Sequence, residues 1–370
     1  MKNHNENISD LKTLNLASVI YGGYVKLERL QDLVYNTYGN SSIEYATNLN
    51  IFIDITSILH SLYSEHNRIV YNNFSDVSAG LINMCAHYRG FFRQLKVNTR
   101  FFLINSLNCN PINIKYCADY NLEFRNKCAV TQTLSLINSN MNLLKVLCPY
   151  LPGIYYIDSV DNYETSVIIA YLIETLNDGN PNLVISHDMY PLQLPALYKY
   201  TSYLYPIKSR SKTEGFRDVS WMLPINEKPS FKEEFWKAVS LYRKISYATV
   251  ENLSPINYAL FTALNKCPER SLRGICRPST ASRFIYSLVG SEDIKINSSQ
   301  FMNNPELVSS YPVAEIQSRY NAIDIQFALN YYRISPEAKQ IKLLDLDDAN
   351  TVNKISAKYY ANNPLDLFKL

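Results

Sequence analysis

Residues 50–64 read NIFIDITSILHSLYS, and the fold is decided by how this stretch is understood. Ile51, Phe52 and Ile53 are consecutive apolar residues, so both faces of the strand they form must be covered. That is the pattern of an interior strand in a parallel, helix-covered sheet. The run ends on a single carboxylate, Asp54, at the strand's C-terminal edge, where open α/β folds place their ligands. Thr56 or Ser57 is suited to cap the segment that follows, in which Ile58, Leu59 and Leu62 share one helical face.

Working outward, three more apolar strands are expected at Arg100 to Leu103 (RFFL), Tyr155 to Asp158 (YYID) and Asn182 to Ser186 (NLVIS). The last of these delivers a second strand-end acid, Asp188. Helical periodicity at Leu81 to Val97 and Ser166 to Leu176 alternates with the strands. This order gives an α/β class with a parallel sheet. Ahead of it lie a polar extension (1–20) and an amphipathic helix at Tyr21 to Tyr35 that opens on Gly22-Gly23. The sheet domain is expected to span 21–205, with a long Asn-rich insertion at 107–151, a length of connection that usually carries function. A helical region (206–300) and a helical tail (301–370) complete the chain. Helices are expected at Ser230 to Ser246, from Ser254-Pro255 to Leu264, and at Val313 to Tyr332. Between Asn265 and Ile285 two helices flank a turn around Gly274, the second opened by Pro278-Ser279-Thr280.

The composition narrows the class further. The chain has 370 residues, enough for a large core without covalent staples, and seven cysteines with no CxxC pair. Reduced thiols in an intracellular, cytoplasmic or nuclear setting are expected. The polar start MKNHNENISDLK carries no signal-peptide pattern, and no apolar run is long enough for a membrane span. Thirty Tyr against ten Gly, with frequent Asn, fits codon bias from an AT-rich genome. The net charge of +3 conceals an asymmetry, because residues 208–283 hold fourteen Lys and Arg against seven Asp and Glu. A polyanion contact, with DNA or RNA, belongs in that region, and Lys266, Arg270, Arg273, Arg277 and Arg283 are the candidates for it. A solvated helix face is the competing reading of the same residues. His60, His66, His87 and His187 lack metal-ligand spacing and read as surface or satisfied core residues, as do Cys267 and Cys276.

Four separated segments, taken in order, resemble the flap endonuclease and XPG family of 5′ nucleases. Gly23-Tyr24-Val25-Lys26-Leu27 looks like the family's amino-terminal helix, and Phe52 to Leu59 its first catalytic strand, whose Asp binds metal. Tyr163 to Leu172 falls at the paired-carboxylate helix start. Ile185 to Leu194 falls at the strand followed by Asp-x-Asp, and Ala263 to Ile285 resembles the helix-three-turn-helix that grips duplex backbone. The resemblance implies a PIN-like sheet, an arch within 107–151, and divalent-metal chemistry on a cluster of acids.

This chain departs from that pattern at several places. Asp54, Glu164 and Asp188 are kept, while Asn105, Ser166 and Tyr190 stand where acids are usual. Two divalent ions bring four positive charges to a site that retains three carboxylates, and the second ion loses its main attraction. The resemblance thus implies at most one Mg2+, on Asp54, Glu164 and Asp188, with Asp158 or Asp161 as a further oxygen donor, and no cofactor is the expectation. The reading favoured is a catalytically decayed flap-endonuclease-like protein acting as a structural or binding component, with a protein partner, of a viral or replication complex. The alternatives are an active metal-dependent nuclease with a reduced site and a nucleic-acid-binding module without chemistry.

Overall fold

The computed structural model describes residues 48–58, 75–106, 111–118, 144–158, 163–205, 221–267 and 270–335. Strand β1 (Asn48–Asp54) is buried from Leu49 onward, on both faces, as its unbroken apolar run requires. Its neighbours are β2 (Asn98–Asn105), β3 (Ile154–Asp158), β4 (Asn182–Ile185), β5 (Thr201–Tyr205) and β6 (Trp221–Leu223). Together they form one sheet in the order β3-β2-β1-β4-β5-β6. The first five strands run parallel and β6 pairs antiparallel with β5. After β3 the chain returns to the far side of β1, so the direction of winding reverses between β1 and β4. A crevice opens at such a switch point, at the carboxyl ends of the strands. Register brings Asp54 opposite Ile104 and Asn105 opposite Asp158, which levels the strand ends there.

Alternation along the strands divides the apolar side chains between two cores. Phe52, Phe102, Val184 and Tyr203 face the helix Thr165–Leu176 and the C-terminal half of the chain. Phe52 stacks on Phe102 at 4.9 Å, and Phe102 on Tyr155 at 5.1 Å. Ile51, Ile53, Phe101, Leu103 and Ile185 face the helix Ser75–Gln94 through Met84, Cys85, Tyr88 and Phe92.

The C-terminal half packs on the first of these cores as part of it. Trp236, on the helix Phe231–Arg243, lies edge-on to Phe261 at 5.4 Å and donates its indole N–H to Leu253 O at 2.6 Å. The helices Val313–Ile323 and Ile325–Ile334 break at Asp324, whose carboxylate caps the second helix and pairs with Lys295 at 2.7 Å. They bind the sheet domain directly. Asn113 donates to Ala322 O at 2.6 Å, Gln193 bonds Ile323 O at 3.1 Å and Ile325 N at 3.2 Å, and Tyr332 packs edge-on to Tyr163 and Tyr171.

The four expected strands form within a few residues of their sequence positions. β5 and β6 were not expected, and β6 lies inside 206–300, a segment read as helical. Thr201–Tyr205 is short and has Thr and Ser at buried positions, and three residues of β6 are too few to show a period. The expected single helix over Val313 to Tyr332 is two. The amino-terminal Gly23 helix, most of 107–151, the basic loop from Lys208, and residues 336–370 lie outside the described residues.

The two helices around Gly274 form as the sequence indicates, Tyr258–Leu264 and Pro278–Val289. Between them a bridge joins Cys267 to Leu272, and Ile275 N donates to Leu264 O at 2.9 Å. A Cβ on Gly274 would sit 2.9 Å from the backbone N of Lys266, so only glycine closes this turn without displacement. Gly274→Ala is expected to cost about 1–3 kcal/mol of stability in urea unfolding, the range for a forced backbone shift. An unchanged midpoint would mean that the turn adapts freely.

Candidate functional site: a carboxylate cluster at the switch point

Asp54 ends β1 at 1% exposure. Its Oδ1 accepts from Ser57 N at 3.0 Å, and its Oδ2 from the Ser186 hydroxyl at 2.8 Å. Ser186 directly follows β4, and its Oγ also accepts from Asp188 N at 3.0 Å and lies 3.0 Å from Ser57 Oγ. Ser57 Oγ in turn accepts from His187 N at 3.0 Å. Two serine hydroxyls therefore fasten the end of β1 to the loop after β4, across the switch point. Burial, together with the nearby Asp188 charge, raises the Asp54 pKa, while the Ser57 N–H and the serine hydroxyls pull it down.

Glu164 stands immediately before the helix Thr165–Leu176 and Asp188 in the loop beyond β4, and one guanidinium joins them. Arg270, from the turn of the helical hairpin, is 5% exposed. Its Nε lies 3.3 Å from Glu164 Oε1, and its Nη2 bonds Asp188 Oδ2. The guanidinium carbon sits 5.0 Å from the centre of the Tyr190 ring, a cation–π contact in a dry setting. Asp188 Oδ1 accepts from Tyr190 N at 3.1 Å, and the Tyr203 hydroxyl reaches the carbonyls of Ser186 (2.9 Å) and Asp188. Burial and the neighbouring carboxylates hold the Tyr190 hydroxyl far above its usual range, so it is neutral. His187 is pushed down to about 4 by burial and is neutral too.

The structure thus gathers Asp54, Glu164 and Asp188 at one sheet edge, where Arg270 meets Glu164 Oε1 and Asp188 Oδ2 and protein donors engage both oxygens of Asp54. A divalent pair needs several anionic oxygens turned toward it and room for two ions about 4 Å apart. Here Glu164 and Asp188 are turned toward Arg270, and Asp54 is engaged at both oxygens. Asn105 accepts from the Thr56 hydroxyl at 3.3 Å, and Ser166 is buried. On the hairpin side of Tyr190, Asp188 and Arg270, away from Asp54 and Glu164, a cavity of about 10 Å³ has room for about one water. Among the described residues no three His, Cys, Asp or Glu side chains are grouped as ligands of an ion. The donor set does not fit a two-metal centre. Asp158 ends β3 opposite Asn105, and Asp161 lies outside the described residues.

The basic set divides. Lys266, Arg273, Arg277 and Arg283 are exposed on the hairpin, whereas Arg270, expected to meet phosphate, is turned inward. Sequence reasoning passed over Ser186 and Tyr203, and it named Thr56 or Ser57 as the helix cap where Asp54 itself accepts from Ser57 N. Two buried acids require a counter-charge, and that was the signal available for Arg270.

No protein-family model matches the chain, and no curated protein matches it by sequence. Solved structures do match. The fold is that of the PIN-like 5′ nucleases. The bacteriophage T5 flap endonuclease, as a pseudo-enzyme with lysine in place of an aspartate and in complex with product DNA and metal ions, is 12% identical, with 87% of this chain and 100% of that one covered at a TM-score of 0.50. The T5 5′-exonuclease with bound zinc ions is 11% identical, covering 87% and 98% at a TM-score of 0.50. Human GEN1 on Holliday junction DNA is a looser match, 9% identical over 73% of this chain and 60% of that one at a TM-score of 0.35. At these identities the likeness is one of fold.

Because burial raises the Asp54 pKa, the folded state binds more protons than the unfolded state between the ordinary 3.8 and the raised value. Stability from this group is full below that window and falls as pH rises through it. Asp54→Asn, which keeps an acceptor for Ser57 N, removes the effect. Its stability relative to wild type is expected to be higher at about pH 8 than at about pH 4, read by urea unfolding. A difference independent of pH would show that Asp54 is as easily ionised in the fold as in the unfolded chain.

Proposed function

We propose that this chain is a catalytically inactive protein on the 5′-nuclease fold that serves as a nucleic-acid-binding component of a larger assembly, a viral or replication complex. One observation carries the reading: Glu164 and Asp188 are both committed to the Arg270 guanidinium at the edge where this fold does metal chemistry. Neutral Asn105, Ser166 and Tyr190 at the remaining acid positions support it.

The hairpin faces outward among the described residues. Lys266, Arg273, Arg277 and Arg283 supply phosphate contacts without base readout, which gives affinity that is insensitive to sequence and steeply dependent on salt. A protein partner belongs to the same proposal, because a binding component without chemistry acts through what it holds together.

Incubation with a 5′-flap substrate and Mg2+ or Mn2+ is expected to give no cleavage. Cleavage that disappears in Asp54→Ala would overturn the reading in favour of a reduced but active metal site. For binding, reversing Arg273 and Arg277 to Glu is expected to lower the slope of log affinity against log salt by about 2, at roughly one unit per phosphate contact. If wild type binds neither DNA nor RNA duplex at low salt, the basic set is a solvated face and the partner is protein alone.

A further inference from the structure

A buried carboxylate pair on this fold has two ways of being neutralised, by ions from solution or by a cation from the chain. The second is present here, as one guanidinium shared by both acids. Arg270 reaches Glu164 at 3.3 Å through Nε and Asp188 through Nη2, so two nitrogens of one guanidinium serve the two acids. The side chains of all three are nearly excluded from solvent, at 6%, 2% and 12% exposure. On its remaining side the guanidinium meets the Tyr190 ring, which occupies an acid position of the resembling pattern and gives a cation a face in place of a ligand. Tyr190 also donates its backbone N–H to Asp188 and so fixes the acid that Arg270 grips. The two departures, Arg270 turned inward and Tyr190 for an acid, act on the same point.

We infer that Arg270 is a resident replacement for the divalent cation: the cluster has exchanged a dissociable metal for a side-chain charge, and the fold is metal-independent as a result. This rests on the inactive reading above but is separable from it. A chain could bind metal and still fail to cleave, or exclude metal for other reasons. The inference accounts for the retention of Glu164 and Asp188 in a site without chemistry. They are kept because Arg270 needs them, since an unpaired guanidinium at this depth would be as costly as an unpaired carboxylate. It also gives the hairpin a fixed seat, because Arg270 is the hairpin's own residue and its ion pairs clamp the turn to the strand end.

The test is a thermal-unfolding series on the full chain with EDTA or with Mn2+, alongside a direct Mn2+ titration followed by electron paramagnetic resonance. Wild type is expected to unfold at the same temperature in both and to hold no Mn2+. Arg270→Gln, which leaves the two acids unneutralised, is expected to be destabilised in EDTA and rescued by Mn2+, with a rise of about 5 °C when the ion is about 100-fold above its dissociation constant. The rescue should vanish in the double variant Arg270→Gln with Glu164→Gln. Stoichiometric Mn2+ binding by wild type that is lost in Glu164→Gln would overturn the inference, as would a folded Arg270→Gln that ignores Mn2+. If Arg270→Gln does not fold even with metal, the wild-type titration decides alone: absence of bound Mn2+ supports the exchange, and its presence refutes it. Failure of the inactive reading would instead appear as flap cleavage, a separate measurement.

Discussion

The ion pairs of Arg270 with Glu164 and Asp188 hold together parts of the molecule that share no strand or helix. Glu164 begins a helix on one face of the sheet, Asp188 follows β4, and Arg270 belongs to a hairpin more than eighty residues further along. The cost of removing three charged groups from water is met only when all three arrive together. That condition ties the geometry of the hairpin to the geometry of the strand ends. The exposed basic residues Lys266, Arg273 and Arg277 inherit their placement from it.

A second constraint acts at the switch point itself. Asp54 is buried without a cation of its own, and its two oxygens are served by a backbone N–H and a serine hydroxyl. The Ser57 and Ser186 hydroxyls sit 3.0 Å apart between two strands that are already paired, so they lock a seam made first by backbone. Hydrogen bonds of this kind hold an acid in place, and the Arg270 pairs do the same at the neighbouring acids.

Much of this was legible in the sequence because it is written in local pattern. The apolar run before Asp54, the repeat of that pattern at Arg100, Tyr155 and Asn182, and the alternation with helices determine a parallel sheet. That Asn105, Ser166 and Tyr190 are neutral was also plain. The direction taken by Arg270 was not, since its neighbours Lys266, Arg273 and Arg277 have the same charge and a similar spacing, and only the fold separates the one that turns inward. β5 and β6 escaped notice for a related reason: Thr201 and Ser202 look polar in isolation and become interior only because β4 and β6 flank them.

The contacts of Asn113 with Ala322, and of Gln193 with Ile323 and Ile325, join residues separated by 209, 130 and 132 positions. Such a core cannot be finished while its C-terminal helices are still inside the ribosome. During synthesis Tyr163 and Tyr171, against which Tyr332 packs, stay uncovered until that later segment emerges. A nascent chain that exposes such apolar surface is open to aggregation until the surface is covered.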